Sequence, residues 1–263
     1  MKRLIVALAL STVLAGCVAT TSSTGRKQYV GGMSQAQLDQ MGAQAFVQAK
    51  AEGPLSTDAK QRAYVRCVVD TLARQLPPRA QGTAWETAVF RNSEPNAFAL
   101  PGGKVGVNTG IFSVARNQDQ LAAVLAHEIG HVVEQHHDER ITRQMGASVL
   151  VQGLSALAGD YGQLASQGGS LLAQGGFLLP GSRAQESEAD VVGQQLMAQA
   201  GFNPEQAVNL WQNMIAAGGA RSPEWLSTHP DPESRIQELR TRAASLMPVY
   251  QQARAAGRVP RCG

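Results

Sequence analysis

The apolar pattern of this chain is helical over most of its length and alternates only between residues 85 and 108. Ser34-Gln35-Ala36-Gln37 has the Ser-x-x-Gln form of a capping box, which predicts a helix from there to about Glu52, stopped by Gly53-Pro54. A second helix is expected over Thr57 to Leu76, ending at Pro77-Pro78. Trp85 to Arg91 alternates and carries Val and Phe, so it reads as a strand. Ala97 to Leu100 and Lys104 to Val107 are short strands around the turn Pro101-Gly102-Gly103. Asn117-Gln118-Asp119-Gln120 opens a strong helix to about His136. Arg183 to Ala200 is a helix with Gly201 as its stop. Asn203-Pro204 supplies an N-cap and a first-turn Pro for a helix reaching about Ala217, and Pro232 to Leu246 is the last strong helix. The fold class is α+β, mostly helical, with no repeats and no clear boundary within residues 34–263.

Residues 148–179 break the pattern. They are rich in Gly, Ala, Leu and Gln, and their apolar residues recur at mixed spacing. The stretch is either a loose helical hairpin or a mobile cover.

Composition narrows the class. Of 263 residues, 43% are hydrophobic and 16% charged, which excludes wholesale disorder, collagen and a multi-span membrane protein. Only 5% are aromatic, which argues against a base-stacking platform. The formal charge is +3, and removing Lys2 and Arg3 from the 23 basic residues leaves 21 against 20 acidic ones. Nothing in that balance calls for nucleic acid as a partner.

Lys2 and Arg3 precede a short apolar run from Leu4 to Val13, too short to span a bilayer comfortably. Leu14-Ala15-Gly16-Cys17 follows and resembles the bacterial lipobox, in which the Cys is acylated and becomes the new N-terminus. The expectation is a signal peptide over 1–16, a lipidated Cys17, and a polar tether through residue 33. Val18 rather than Asp after the Cys favours the outer membrane by the bacterial sorting rule, so the chain is expected on its periplasmic face. In that oxidising compartment Cys67 and Cys262 are expected to pair, pinning the C-terminal tail to an early helix; the alternative is two free thiols.

His127-Glu128-Ile129-Gly130-His131 lies inside the Asn117-capped helix. Two His at i and i+4 share one face and can reach one ion. Glu128 is about 100° further around, where it can reach a metal-bound water without ligating. Leu121, Val124, Leu125, Val132 and Val133 make the helix buried, so its polar residues need partners.

The third ligand has two sources. His137 stands where some zinc peptidases place a third His, but those need a Gly before it, and a continuing helix would carry His137 about 15 Å along the axis from His127. His136 and His137 read instead as a solvated helix end, cationic and suited to the dipole. Glu186 and Asp190 are i and i+4 on a later helix. Glu186 can ligate zinc while Asp190 accepts a hydrogen bond from a ligand His and orients its ring.

Together these residues resemble the HtpX-like zinc metallopeptidases of family M48. His127-Glu128-x-x-His131 matches that family's zinc helix, and Glu186-x-x-Ala189-Asp190 its third-ligand motif. Asn96 to Gly103 resembles the strand and turn before that helix, and Ser227-Thr228-His229-Pro230 its downstream His-Pro segment. The resemblance runs from about residue 60 to 245. It implies a gluzincin fold, one zinc ion per chain on His127, His131 and Glu186, Glu128 as general base, and substrate lying as a strand beside Asn96, Ala97 and Phe98. His229 is then a fourth ligand, an oxyanion stabiliser, or a capping residue before Pro230. Membrane-embedded relatives carry long apolar spans between zinc helix and third ligand; residues 148–179 lack one.

The leading expectation is a zinc-dependent endopeptidase that cleaves misfolded or unassembled periplasmic or outer-membrane proteins. Its partners are polypeptide substrates, outer-membrane lipid through Cys17, and envelope assembly or quality-control proteins. The alternative is a lipid-anchored chaperone or scaffold with a closed, structural zinc site. A murein hydrolase is a weaker third option.

Overall fold

The computed structural model describes residues 18–146, 182–218, 225, 228–229 and 232–263. The expected signal segment with Cys17, and residues 148–179, lie outside the described residues. Those described group into two compact units, one of residues 18–38 with 135–146, the other of residues 39–134 with 182–263.

Within the stretch expected as a tether, the smaller unit contains an ordered hairpin. β1 (Val18–Thr21) pairs antiparallel with β2 (Lys27–Val30), in register Val18 to Val30. Gly25 takes a left-handed φ of 88° in the connecting turn, where a Cβ would be strained. Beyond β2, the Ser34 capping box forms as expected: the Gln37 N–H donates to Ser34 Oγ at 3.3 Å, and the Ser34 N–H to Gln37 Oε1 at 3.0 Å. It opens α1 (Gln35–Glu52). A helix over 136–146 holds the hairpin from below: Glu139 binds Arg26 at 2.8 Å, and Asp138 accepts the Gly31 N–H at 2.9 Å.

His136 and His137 belong to that helix, and this corrects their reading as a solvated, cationic helix end. Gln135 adopts a φ of 57°, breaking the preceding helix and starting a new one whose first turn is buried. Burial, aided by the positive charge of Arg140, drives the His137 pKa well below its ordinary value, so the ring is neutral.

The larger unit is built on α2 (Ala59–Ala73), capped by Asp58, which accepts from the Lys60 and Gln61 N–H groups. Its sheet has the order β3-β5-β4. β3 (Glu86–Phe90) runs parallel to β5 (Lys104–Asn108), and β4 (Ala97–Leu100) runs antiparallel to β5. Gly106 of β5 faces Phe98, whose ring fills the space a Cβ would need. After the short α3 (Ile111–Val114) comes α4 (Gln118–Val133), where Asn117 caps the Gln120 N–H at 2.9 Å. α4 ends three residues before the expected His136, because of the break at Gln135.

α6 (Arg183–Ala200) begins with a Ser182–Gln185 capping box and stops at Gly201, whose φ is 84°; here α5 denotes the helix over 136–146. α7 (Gln206–Gly218) and α8 (Pro232–Ala255) complete the unit. α8 runs past the expected stop at Leu246. Pro248 lies inside it and removes one backbone donor without ending the helix. The core places Val65, Val68 and Leu72 of α2 and Val105 and Val107 of β5 with Leu121, Leu125 and Ile129 of α4, and Met197 and Trp211 complete it. Cys67 and Cys262 are bonded to each other, their Cα atoms 5.4 Å apart, so the tail is tied to α2. Gln118 also holds the tail, donating to the Pro260 carbonyl at 3.0 Å and accepting the Cys262 N–H at 2.9 Å. No helix among the described residues is long and apolar enough to cross a membrane.

Candidate active site

His127 and His131 lie one helical turn apart on α4, so their rings share a face. Their Nε2 atoms are 3.1 Å apart. Glu186, in the first turn of α6, faces them: its Oε2 is 3.3 Å from His127 Nε2 and its Oε1 3.6 Å from His131 Nε2. His229 brings a fourth donor, and the ligand atoms of all four buried residues lie within 4.8 Å of one another. His137 is not among them.

Helix packing produces this convergence. Gly130 of α4 lies against the backbone of Ala189, and Gly193 of α6 lies against the backbone of Ala126 and His127. Without side chains at these crossings the two helices approach closely, and Glu186 reaches the imidazoles.

These donors fit a zinc ion. Four ligands at about 2.0–2.1 Å around a tetrahedral ion stand about 3.3 Å from one another. The separations of 3.1, 3.3 and 3.6 Å among His127, His131 and Glu186 bracket that value. Lone-pair donors converging in a buried space call for a cation between them.

Two of the rings, those of His127 and His229, are turned to present the needed nitrogen. His127 Nδ1 lies 3.0 Å from Asp190 Oδ1, which only accepts, so Nδ1 carries the proton and Nε2 offers its lone pair to the cluster. Burial opposes charge on this ring, but the bonds to Asp190 and Glu186 push its pKa up to about 9. A ligand imidazole is neutral, so metal binding releases the Nε2 proton of the charged ring while Nδ1 keeps its own. Burial would raise the Asp190 pKa, yet the charge and hydrogen bonds of Arg235 hold its carboxyl well below the usual range. His229 Nδ1 donates to the Trp225 carbonyl at 2.9 Å, which likewise leaves Nε2 bare. Burial lowers the His229 pKa, and Glu128 and Glu186 offset this only in part.

Glu128 stands beside the donor cluster without belonging to it. Its Oε1 accepts the Trp225 indole N–H at 3.0 Å and lies 3.3 Å from His229 Nε2. Asn96, Ala97 and Phe98 lie at and before the start of β4, one of the two edge strands of its sheet.

Two buried residues escaped the sequence reading. Trp225 sits one turn before His229 and stacks on its ring, centroids 4.8 Å apart. The i, i+4 spacing of Trp and His was the available signal. Arg235, six residues after His229, binds both Asp190 and Glu186. Nothing in the helical pattern of α8 marked it.

A helix bearing His-Glu-x-x-His, with a carboxylate donor from a separate helix, defines a gluzincin-type metallopeptidase site. The chain belongs to peptidase family M48, whose model matches residues 59–243. It is 43% identical over 157 residues to the mitochondrial metalloendopeptidase OMA1 of Schizosaccharomyces pombe, covering 59% of this chain and 45% of that one. It is 33% identical over 180 residues to OMA1 of Saccharomyces cerevisiae, covering 65% and 51%. With the beta-barrel assembly-enhancing protease of Escherichia coli K12 it shares 30% over 231 residues, covering 84% of this chain and 47% of that protein. The chain thus spans about half the length of these curated relatives.

Proposed function

We propose that this chain is a zinc-dependent endopeptidase of the bacterial cell envelope, holding one ion on His127, His131 and Glu186. The observation that carries this is the approach of the three donors at tetrahedral spacing, with Glu128 one residue away and outside the donor set. A bound zinc supplies Lewis acidity toward the scissile carbonyl and the attacking water. Glu128 takes the proton of that water and delivers it to the leaving nitrogen. Asp190 keeps His127 in its ligating tautomer. His229 either closes the donor set or, once displaced and protonated, donates to the oxyanion as it forms. An extended polypeptide lies along β4, near Asn96, Ala97 and Phe98, reading conformation more than sequence.

The substrates are misfolded or unassembled periplasmic and outer-membrane proteins, reached from an outer membrane in which acylated Cys17 anchors the chain. The name of the Escherichia coli relative, a beta-barrel assembly-enhancing protease, supports that setting. The mitochondrial relatives support peptide cleavage alone.

Glu128→Gln tests the chemistry. It is expected to retain zinc while cleavage of an unfolded polypeptide falls about 10²–10⁴-fold; unchanged turnover would refute the assignment. The four-donor grouping that includes His229 favours a second reading, a lipid-anchored chaperone or scaffold with structural zinc. Under it, Glu128→Gln leaves an envelope-assembly function intact, and wild type cleaves nothing.

A further inference from the structure

Arg235 enters the site from α8 with its side chain buried. Its guanidinium grips Asp190 with two bonds, Nε to Oδ2 at 2.7 Å and Nη2 to Oδ1 at 2.8 Å. Nη1 reaches Glu186 Oε2 at 3.2 Å and the His229 carbonyl at 3.4 Å. The Trp211 ring lies against the guanidinium, 4.0 Å from its carbon. One side chain therefore ties together the third donor, the carboxylate behind the first donor, and the backbone of the fourth.

The contact with His127 gives this arrangement a consequence for ligation. Arg235 Nη2 lies 3.3 Å from His127 Nδ1. Arginine can only donate. Were Nδ1 bare, Arg235 would bond to it and the proton would sit on Nε2, the atom that faces His131 and Glu186. Asp190 Oδ1 is closer at 3.0 Å and negatively charged, so it takes the Nδ1 proton. It does so while Arg235 donates to the same oxygen and fixes the carboxylate plane. If that grip is lost, the His127 ring loses its fixed partner.

Charge leads to the same place. Glu128, Glu186 and Asp190 are three buried carboxylates around the cluster, and Arg235 is buried with them. A divalent ion and one guanidinium balance them. Without Arg235 the loaded site carries a net negative charge in low dielectric, where a buried unpaired charge is costly.

We propose that Arg235 is a positioning residue for the metal centre: it clamps Asp190 and Glu186 together, holding His127 with Nε2 presented and the Glu186 carboxylate in coordinating range. This rests on reading His127, His131 and Glu186 as zinc ligands. Arg235 touches neither substrate nor reacting atoms.

The test measures zinc affinity of the full chain by competition with a chromophoric chelator, and the visible absorption of the cobalt-loaded protein, whose band reports ligand geometry. Arg235→Lys keeps the charge and loses the fork. It is expected to bind zinc about 10–100-fold more weakly and to shift the cobalt band. Asp190→Asn is expected to lose a similar factor. The double variant Arg235→Lys/Asp190→Asn is expected to lose no more than the worse single variant, because both act through one contact. Arg235→Met/Asp190→Leu removes both charges of the pair together, so neither is left buried without the other, and carries the test if Arg235→Lys does not fold; it too is expected to bind zinc about 10–100-fold more weakly. Wild-type zinc affinity and cobalt spectrum in Arg235→Lys, or fully additive losses in the double variant, overturn the proposal and leave the metal reading standing. Where only Arg235→Met/Asp190→Leu folds, wild-type affinity in it overturns the proposal. A wild-type chain that takes up neither zinc nor cobalt overturns the metal reading, and the proposal with it.

Discussion

The indole N–H of Trp225 donates to Glu128 Oε1 at 3.0 Å, and the same indole stacks on His229. The residue proposed as general base is thus held by a donor that belongs to the turn carrying His229. Trp225→Phe keeps a ring against His229 and removes the donor. A hydrogen bond to a charged group contributes about 1.5–3 kcal/mol. At the low end of that range, kcat on a polypeptide is expected to fall about tenfold, with KM and zinc affinity little changed. Steady-state kinetics with a metal titration check this. An unchanged kcat would mean that Glu128 needs no such anchor.

Zinc affinity is also expected to depend on two glycines that touch no ligand atom. A Cβ on Gly193 would lie 3.0 Å from the backbone of Ala126 and from the His127 nitrogen, and one on Gly130 would lie 3.0 Å from the Ala189 carbonyl oxygen. Gly193→Val forces α4 and α6 apart. It is expected to cost about 1–3 kcal/mol of stability by overpacking and to weaken zinc binding more than tenfold. Denaturant unfolding and chelator competition measure the two effects separately. Wild-type affinity in a folded Gly193→Val chain would show that the helix spacing has slack.

Much of this site was legible because its chemistry obeys helical periodicity. His127 and His131, and Glu186 and Asp190, are pairs at i and i+4, and each pair shares a face whatever the tertiary fold. A capping box at Ser34 and an N-cap at Asn117 likewise announced two helix starts from local chemistry alone. What stayed hidden depends on which face meets which. Arg235 looks like one more charge on a polar helix until α8 packs on α6. The break at Gln135 uses a residue with no special turn preference, so His136 and His137 read as a continuing helix end. The β1–β2 hairpin was masked by its Ser- and Thr-rich turn, which resembles a tether in composition.

The bond between Cys67 and Cys262 closes a segment of sequence separation 195. A loop that long removes much entropy from the unfolded chain, about 5 kcal/mol on the chain-entropy model. The tail it pins also bonds to Gln118, in the first turn of the helix that carries His127. Cys67→Ser/Cys262→Ser is therefore expected to lose up to about 5 kcal/mol in denaturant unfolding under non-reducing conditions. A midpoint equal to wild type would show that packing alone secures the tail.

The outer edge of β4 offers a test of substrate pairing that spares the metal. The Asn108 N–H donates to the Asn96 carbonyl at 2.9 Å, and the register pairs Phe98 with Gly106 and Leu100 with Lys104. In an antiparallel ladder the bonded pairs alternate, so the backbone groups of Ala97 and Ala99 point away from β5. An extended peptide laid beside β4 would bond to those groups. Ala99→Pro removes one outward N–H and leaves the bonds to β5 intact; Ala99 is itself buried in the core, so folding of the variant is checked first. One lost hydrogen bond of about 1–1.5 kcal/mol is expected to raise KM for an unfolded polypeptide about tenfold, with kcat and zinc content near wild type. The measurement is steady-state cleavage with parallel metal analysis. An unaltered KM in the folded variant would place the substrate elsewhere than along this strand.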